Sequence, residues 1–487
     1  MIKCLKEKRS YYIILAIVVT NAIFTICSTT SPLYSFCDES HCFFTVGKAM
    51  LSGQILYKDI LEHKGLLQYL IQIPAYFISN TTFLGVYLIQ ILIITLNTVL
   101  TYKMLQRLNI SDKINCAIIS LSGVIMFASK ALASGQISEV YLMPCFTYAL
   151  YTVVKLKGNE GLQTRDMFIN GILLGIVVWT KYSLIAFWGV LAICNFVFHI
   201  QNKKIKKAFG TSAAFALGIL VVTIPCVLYF WGNKAITSLF EVYISNNAID
   251  YGNKISFVTT ILNYVKVIAI NGYYNLAFGV FCTLGMVFVM RRNDICRNAK
   301  IIIVSGTALS FLVVYIHGSL LPYYLFAFFY LIYFGAELVL KIIENKIKWK
   351  SVVAIGLACV LLSVLFKPQP DKFLGNRAEL VQYKFAEHMH KECENPTLLN
   401  YDFLDGGFYT EADIVPNVWA FCRTNLNSQK MLDNQLDAIK QKKIDFVVTN
   451  SSKNNPVELY ENYVLVMKEE QIRVNKKVEY CLWQVKN

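Results

Sequence analysis

Two pairs of ionisable residues lie at opposite ends of one loop near the start of the chain. Asp38 and Glu39 follow the first apolar run, and His63 and Lys64 open a second, shorter one. A carboxylate can accept a proton from a hydroxyl group, so Asp38 is a candidate general base, with Glu39 shaping the field around it. A lysine at the depth of the lipid headgroups can supply the counter-charge of a phosphate. A solvated helix end and a snorkelling lysine are the alternative interpretations, and the local sequence leaves them open.

Other loops contain side chains suited to binding a phosphate or a sugar. Glu139 begins an apolar segment, where a negative charge also suits the helix dipole. Lys181 lies near the end of another segment and is a further candidate for a phosphate contact. His317, Tyr323 and Tyr324 belong to one short polar loop that can hold a phosphate or a sugar. A belt of interfacial aromatic residues explains the tyrosines equally well.

The composition places these residues in a membrane protein. Apolar residues make up 56% of the 487 and charged residues only 16%, and the mean hydropathy is +0.48. So few charges cannot cover the surface of a soluble protein, so much of this surface must face lipid. The net charge of +15 lies in short clusters between apolar runs, which is typical of cytoplasmic loops and argues against a nucleic-acid partner.

Apolar segments near the length of a bilayer crossing recur along the chain. Each crossing is expected to be a helix, because unpaired peptide groups are costly in lipid. The eleven predicted crossings lie near residues 11–30, 83–106, 114–131, 139–155, 167–182, 184–200, 209–231, 269–290, 300–316, 322–341 and 351–366.

The distribution of lysine and arginine predicts the orientation of these crossings. Basic residues concentrate in alternate loops, beginning with the segment before the first apolar run. The positive-inside rule therefore places the N-terminus in the cytoplasm, and an odd number of crossings leaves the C-terminus outside. The first apolar run has no evident cleavage site and is interpreted as a retained signal anchor. The chain is predicted to be a multi-pass protein of the plasma membrane.

Two outer loops are long, and a polar region follows the last crossing. The loops, 31–82 and 232–268, contain amphipathic stretches that are expected to lie along the membrane interface. The fold class predicted is a polytopic α-helical membrane protein, with a transmembrane domain at 1–366 and a small extracytoplasmic α/β domain at 367–487. The elements predicted in the second domain are helices at Arg377–Cys393 and Gln429–Lys442, and strands at Thr397–Tyr401, Asp445–Thr449, Tyr463–Met467 and Tyr480–Val485.

Several motifs of soluble enzymes are missing from the sequence. It contains no phosphate-binding loop, dinucleotide fingerprint or HExxH zinc motif, so a cytoplasmic site for nucleotide sugars is not supported. Any donor is expected to arrive through the membrane. The 14 cysteines have neither a disulfide framework nor metal-ligand spacing. A pairing of Cys37 with Cys42 remains open.

The order of these motifs resembles the GT-C superfamily of glycosyltransferases. The likeness is greatest to glycosyltransferase family 39 and its bacterial relatives of the protein-mannosyltransferase and lipid A aminoarabinose-transferase type. Those enzymes carry an Asp-Glu pair after the first helix, an amphipathic segment ending in Tyr-x-Asp, and a His-Lys-Pro-Pro-Leu-like run. Gly65 and Leu66 replace the two prolines here. The matching segments are Asp38-Glu39, Ala49–Asp59, His63–Leu67, Glu139 and Pro322–Tyr324.

The resemblance implies sugar transfer with inversion at the anomeric carbon. Asp38 and Glu39 would be the catalytic residues, with Asp38 activating the acceptor, and polyprenyl phosphate would be the leaving group. Lys64 would neutralise the departing phosphate, which gains charge in the transition state. The other donor-phosphate ligands implied are His63, Lys181, His317 and Tyr324. The residues implied for the acceptor or sugar are Tyr57, Asp59, Glu139 and Tyr323.

The partners expected are a polyprenyl-phosphate-linked sugar, membrane lipid, and an acceptor that is a glycan, a lipid or a protein. No metal ligands are assigned, and the Asp-Glu pair leaves dependence on a divalent metal open. Two alternatives remain: a transporter or flippase of lipid-linked saccharides, and a non-catalytic scaffold with an outer binding domain. A transporter predicts ionisable residues within the helices and repeat symmetry, whereas the acids here gather in the outer loops.

Overall fold

The structure is a computed structural model of the chain, and it consists mainly of α-helices with one small sheet. It describes residues 2–133, 135–246, 257–316, 321–343, 347–368, 375–425, 429–451, 454–473 and 476–486. The long apolar runs of the sequence form the long helices, because a helix pairs its own backbone groups. The alternating segments near the C-terminus form the strands.

The helices are named here in chain order. They are α1 (Ile2–Cys27), α2 (Asp38–Leu51), α3 (Leu66–Leu70), α4 (Ile73–Ile78), α5 (Leu84–Arg107), α6 (Asp112–Phe127), α7 (Ser138–Val153), α8 (Thr164–Lys181), α9 (Ala186–Gln201), α10 (Ile205–Gly232), α11 (Ile236–Ser238), α12 (Phe257–Tyr274), α13 (Leu276–Arg291), α14 (Arg297–Tyr315), α15 (Tyr330–Lys341), α16 (Trp349–Phe366), α17 (Val381–Glu392), α18 (Phe408–Glu411), α19 (Gln429–Lys440) and α20 (Val457–Asn462). Short 3-10 helices occur at Lys130–Leu132, Tyr182–Leu184, Pro322–Phe328 and Arg377–Glu379, and a π-helix at Leu239–Asn246.

Several helices are long and apolar enough to cross a membrane, so the chain is a multi-pass membrane protein. Within the described residues there are six such helices, or up to eight if each of two bent pairs is one span. One pair, Val258–Tyr274 with Leu276–Arg291, bends by 113°, and the other, Pro322–Phe328 with Tyr330–Lys341, bends by 68°. The six single helices are Arg9–Cys27, Leu84–Arg107, Thr164–Leu184, Ile205–Gly232, Arg297–Tyr315 and Trp349–Phe366.

The eleven predicted crossings exceed this number, although all eleven regions are helical. The remaining three correspond to α6, α7 and α9, each 16 residues long. At about 1.5 Å per residue such helices extend about 24 Å, which is less than the hydrocarbon core of about 30 Å. Helix length and composition therefore do not confirm the count of eleven crossings.

The chain divides into two compact units. The first unit contains residues 1–28, 90–225 and 255–368 and is a helical bundle. Its helices approach closely at glycines: a Cβ on Gly285 would lie 2.0 Å from the Leu331 carbonyl oxygen, and one on Gly335 would lie 2.2 Å from that of Phe281. Small residues permit such close crossings in membrane bundles, so α13 and α15 pack backbone to backbone.

A buried ion pair also joins α13 and α15. Arg292 follows α13 and contacts both carboxylate oxygens of Glu337, and these residues are only 8% and 5% exposed. Arg292 Nε donates to Asp294 at 2.8 Å, and its Nη2 donates to the Leu108 carbonyl at 3.3 Å. Removing one partner of such a pair leaves an uncompensated charge inside the protein.

We expect Arg292→Leu to destabilise the bundle by about 3–5 kcal/mol, because the Glu337 carboxylate loses its cation. The measurement is thermal unfolding of the purified protein in detergent. The matched control is the double variant Arg292→Leu/Glu337→Leu, which should recover most of the loss because neither charge remains buried. If Arg292→Leu alone has the same melting temperature as the wild type, a stabilising role for this pair is contradicted.

The second unit contains residues 29–89, 226–254 and 369–487, so the first long loop and the C-terminal segment belong together. Its sheet has the order β1-β2-β4-β3. β1 and β2 are parallel, and β4 pairs antiparallel with both β2 and β3. The strands are β1 (Leu398–Asn400), β2 (Phe446–Asn450), β3 (Tyr463–Arg473) and β4 (Lys476–Val485). They confirm the small sheet predicted for this region.

Candidate active site

The predicted acid pair opens helix α2 in the second unit. Asp38 and Glu39 occupy the first turn, and Cys37 precedes it in an extended conformation. Negative charge is favourable there because the peptide dipoles of a helix point their positive end toward its N-terminus. Both carboxylates are half-buried, and Asn425 Nδ2 donates to Glu39 Oε1 at 3.1 Å. The acids are therefore fixed at the end of a helix.

One face of α2 packs against the C-terminal segment, and we call these contacts the α2 seam. Two of the contacting residues of α2 are adjacent and the others follow at intervals of three, which places all four on one side of the helix. The contacts are His41 Nδ1 to Thr410 Oγ1 at 3.1 Å, Cys42 Sγ to Cys422 Sγ at 3.4 Å, Thr45 Oγ1 to Asp405 Oδ2 at 2.6 Å, and a salt bridge of Lys48 with Asp413. The seam fixes the orientation of the helix that carries Asp38.

Asp405 is the acidic group of this seam and is completely buried. Burial raises the pKa of its carboxyl to about 7, against the opposing hydrogen bonds from Thr45 and the Gly407 N–H. The Asp38 carboxylate raises this pKa further, and Lys48 lowers it. Asp38 and Asp405 therefore interact electrostatically, and the charge on one disfavours the charge on the other.

The raised pKa of Asp405 predicts a pH-dependent stability. Between about pH 4 and pH 7 the folded protein keeps a proton that the unfolded chain has released, so stability falls as pH rises through this window. We expect Asp405→Asn to remove most of this decline and to be more stable than the wild type above pH 7, by a few kcal/mol. The measurement is the melting temperature as a function of pH. The exposed Asp437→Asn is the matched control and should keep the wild-type profile; a similar slope in Asp405→Asn would contradict the assignment.

Lys64 belongs to a relay of three consecutive ionisable residues. His63 Nδ1 lies 2.9 Å from Glu62 Oε1, and His63 Nε2 lies 2.7 Å from Lys64 Nζ. The Lys64 N–H donates to Glu62 Oε2 at 3.0 Å. Each ring nitrogen of His63 therefore faces an oppositely placed polar neighbour, Glu62 on one side and Lys64 on the other. In the part of the chain that the structure describes, no carboxylate lies within ion-pair distance of Lys64 Nζ, so the ammonium is held by His63 while Glu62 attracts it from farther away.

Glu62 is the buried anion of this relay. Burial alone would raise the pKa of its carboxyl, but His63 and Lys64 outweigh that effect and lower it to about 2. A depressed carboxyl pKa stabilises the folded state above the unfolded value of 4.5, and that contribution is lost as pH falls toward 2. Glu62 therefore stays ionised and orients His63 at neutral pH.

Tyr57 supports the same loop from its other side. Its ring is fully buried and stacks on Phe230 and Tyr243, with centroids 5.4 and 6.0 Å away. Its hydroxyl donates to the Lys64 carbonyl, and its own carbonyl accepts from Trp419 Nε1 at 2.9 Å. Its φ of 67° lies in the left-handed region, which a tyrosine adopts at a cost. These contacts position the backbone of Lys64.

Asp59 closes the turn that begins this loop. Its Oδ2 accepts from the Ile55 N–H at 2.9 Å, and the residue is exposed. Asp59 therefore organises the local backbone while part of its carboxylate remains accessible.

The first unit contains a second group of predicted site residues. Lys181 Nζ donates to Glu139 Oε1 at 2.5 Å. The same ammonium lies 5.2 Å from the ring centroid of Tyr323 and 4.7 Å from that of Tyr324. Glu139 is 2% exposed, and its Oε2 has no hydrogen-bond partner among the described residues. A buried carboxylate with one unsatisfied oxygen can accept a hydrogen bond from a hydroxyl group of a ligand.

The structure thus groups the predicted residues into two sets, one in each unit. The second unit holds Asp38, Glu39, Tyr57, Asp59, His63 and Lys64, and the first unit holds Glu139, Lys181, Tyr323 and Tyr324. His317 lies outside the described residues. Within the described ranges, no three His, Cys, Asp or Glu side chains form a group that could hold a metal ion.

Sequence reasoning missed two groups that hold these residues in place. Glu62 is one of them: no role was predicted for it, although a carboxylate next to His63 in the sequence could have indicated that it orients the histidine. Asp405 and Cys422 gave no signal, because their partners on α2 precede them by more than 350 residues.

Solved structures resemble this chain in fold. ArnT from Cupriavidus metallidurans, in a crystal structure bound to undecaprenyl phosphate, matches with a TM-score of 0.62 and 11% sequence identity over 97% of each chain. The apo structure of the same protein matches with a TM-score of 0.60 and 12% identity over 98% of each chain. The structure therefore has the fold that the sequence resemblance to enzymes of the aminoarabinose-transferase type predicted. No curated protein matches the chain by sequence.

A comparison with protein families assigns the sequence itself. The model of the family described as the putative competence-induced protein Ccs4 N-terminal domain matches residues 3–353. This range includes the acid pair, the His-Lys pair and the Glu139–Lys181 pair, and it covers well over half of the 487 residues. The chain therefore belongs to the Ccs4 N-terminal domain family, and its fold resembles that of ArnT.

Proposed function

We propose that this protein is an inverting glycosyltransferase of the hexosyltransferase class. It moves a sugar from a polyprenyl-phosphate-linked donor to an acceptor in the cell envelope, which is a polymer, a lipid or a protein. The observation that carries the proposal is the Glu62-His63-Lys64 relay, because it fixes a cation that makes no direct ion pair with a described carboxylate. The fold of ArnT, crystallised with undecaprenyl phosphate, supports a polyprenyl-phosphate ligand for that cation.

In this proposal Asp38 removes the proton of the acceptor hydroxyl as the hydroxyl oxygen attacks the anomeric carbon. Glu39 shapes the field around Asp38. The bond from the anomeric carbon to the phosphate oxygen breaks, and the electron pair leaves with polyprenyl phosphate. The leaving group gains negative charge during this step, so a fixed ammonium stabilises the transition state more than the bound donor. A phosphate needs little acid assistance to leave, so one base and one cation are sufficient.

The first unit supplies a second candidate cation and acid. Lys181 would contact the donor phosphate together with Tyr324 and His317, and Glu139 would bind a sugar or acceptor hydroxyl through Oε2, next to Tyr323. The stacking of the Lys181 ammonium on two tyrosine rings supports this role, since it holds the cation in one orientation. Tyr57 and Asp59 would act by shaping the loop that ends at Lys64.

The proposed topology places this chemistry on the outer face of the plasma membrane. All eleven predicted helical regions would cross the membrane, with the N-terminus in the cytoplasm and residues 367–487 forming an extracytoplasmic domain after the transmembrane domain at 1–366. The excess of lysine and arginine in alternate loops supports this orientation.

The experiment compares surface glycans of cells that have the protein, lack it, or carry Asp38→Asn, using mass spectrometry. The purified protein in liposomes, supplied with an acceptor extract from the cells that lack it, is then assayed for release of polyprenyl phosphate from a panel of polyprenyl-phosphate hexoses. We expect one glycan to lose a sugar in both altered strains and one donor to be consumed in liposomes. A glycan pattern unchanged by loss of the protein would contradict the proposal, and donor translocation without cleavage would identify a flippase instead.

A further inference from the structure

We propose that Cys42 and Cys422 form a disulfide in the mature protein, which joins α2 covalently to the C-terminal segment. Their sulfur atoms lie 3.4 Å apart, and the residues are 2% and 0% exposed. The inference rests on the proposed outward orientation of this unit, because disulfides persist outside the cytoplasm and are rare within it. It adds a modification site to the proposed function without changing the chemistry.

Neighbouring contacts already fix the position of each cysteine. On α2, His41 and Thr45 flank Cys42 and are hydrogen-bonded to Thr410 and Asp405. The position of Cys42 relative to the C-terminal segment is therefore set on both sides.

Hydrogen bonds to the backbone hold the residues on either side of Cys422. The Phe421 carbonyl accepts from the Asn400 N–H at 3.2 Å and from Tyr409 Oη at 2.9 Å. The Arg423 N–H donates to the Phe403 carbonyl at 2.9 Å. A covalent S–S bond then requires a small approach of two sulfurs that already face each other, rather than movement of either segment.

The surroundings of the two sulfurs determine when a disulfide can form. The mutual hydrogen bond and burial raise the pKa of Cys42 well above its usual value, and the nearby carboxylates Asp405 and Glu62 raise it further. A neutral, buried thiol is a poor nucleophile, so the bond must form while the chain is folding. Once formed, it is shielded from attack by other thiols.

The reaction is a thiol–disulfide exchange with an extracytoplasmic protein disulfide of the thiol-oxidoreductase class. The thiolate of one cysteine attacks that disulfide and gives a mixed disulfide, and the second thiolate then displaces the oxidoreductase. The two cysteines lose two protons and two electrons. The oxidoreductase accepts the electrons and leaves as a dithiol.

Cys37 is the competing partner for Cys42. It lies five residues earlier, just before α2, and is only half-buried. Its backbone is extended, so Cys37 does not share the helical face on which Cys42 lies. Cys422 faces Cys42 directly across the α2 seam. The structure therefore favours Cys422.

The test uses the full chain purified from membranes after free thiols have been blocked under denaturing conditions. The protein is reduced, and newly freed thiols are labelled with a polymer-linked maleimide that slows migration on a gel. We expect two additional labels in the wild type, and non-reduced peptide mapping should recover Cys42 linked to Cys422. Cys42→Ser and Cys422→Ser should each lose both labels, and Cys37→Ser should retain them.

A wild type without reduction-dependent labels would overturn the proposal, as would a peptide linking Cys42 to Cys37. Peptide mapping of the wild type decides the question even if the serine variants fail to fold. Polyprenyl phosphate release is measured on the same preparations. If the protein has only reduced thiols and still releases polyprenyl phosphate fully, the disulfide is refuted and the transferase proposal stands. If the cross-linked protein releases no polyprenyl phosphate, the transferase proposal is contradicted and the disulfide stands.

Discussion

Asp38→Asn is expected to lower the rate of sugar transfer about 100- to 10,000-fold, which is the usual contribution of a general base. The amide has nearly the shape of the carboxylate, so α2 should keep its first turn and its seam with the C-terminal segment. The variant cannot accept the proton of the acceptor hydroxyl. The measurement is the initial rate of polyprenyl phosphate release in liposomes, with the acceptor identified from the surface glycans.

The matched control for this variant is Asp437→Asn. Asp437 is an exposed acid on α19 in the same unit, so the same chemical change there should leave the rate unaltered. The binding of the donor should persist in Asp38→Asn, because the proposed contact of the donor phosphate is Lys64, at the other end of the loop. Transfer at the wild-type rate by Asp38→Asn would remove the base from the proposed mechanism.

The sequence predicted the local elements of this fold well. The helices predicted at Arg377–Cys393 and Gln429–Lys442 appear at Val381–Glu392 and Gln429–Lys440. The four strands begin within four residues of their predicted positions. Hydrophobic periodicity and turn residues are properties of short segments, so they can be recognised without knowledge of the tertiary structure.

Bends in the membrane helices were not predictable in the same way. The segment 269–290 was predicted as one crossing, but the chain breaks between α12 and α13 and turns by 113°. A second predicted crossing, 322–341, starts as a 3-10 helix and bends by 68° before α15. A hydropathy window reports only mean polarity, and an apolar bend has the same mean as an apolar straight helix. The number of crossings therefore needs more than composition.

The candidate catalytic residues could be predicted from the sequence, but the residues that hold them in place could not. Asp38 and Lys64 stood out because ionisable residues next to apolar runs are costly and need a reason. The groups that fix them, Asp405 and Cys422 on one side and Trp419 on the other, come from the C-terminal segment. Contacts over such a sequence separation depend on how the whole unit folds, and no local pattern encodes them.

Removal of the cation at residue 64 tests the other half of the mechanism. We expect Lys64→Met to lower the turnover number about 100- to 1,000-fold, which is the typical effect of deleting one preorganised electrostatic group. The charge on the phosphate grows as the glycosidic bond breaks, so turnover should fall more than donor affinity. Lys64→Arg should recover part of the loss, because it restores the charge with a different geometry.

The control for Lys64→Met is Lys58→Met, which removes an exposed lysine from the same loop. Lys58 Nζ donates to the Asn233 carbonyl at 3.1 Å, so its loss should cost little and leave turnover near the wild-type value. Glu62→Gln should give an intermediate defect, because it frees His63 and loosens the ammonium without removing it. Equal turnover in Lys64→Met and Lys58→Met would mean that the relay is structural, since a cation that stabilises the leaving phosphate cannot be exchanged for a thioether without loss of rate.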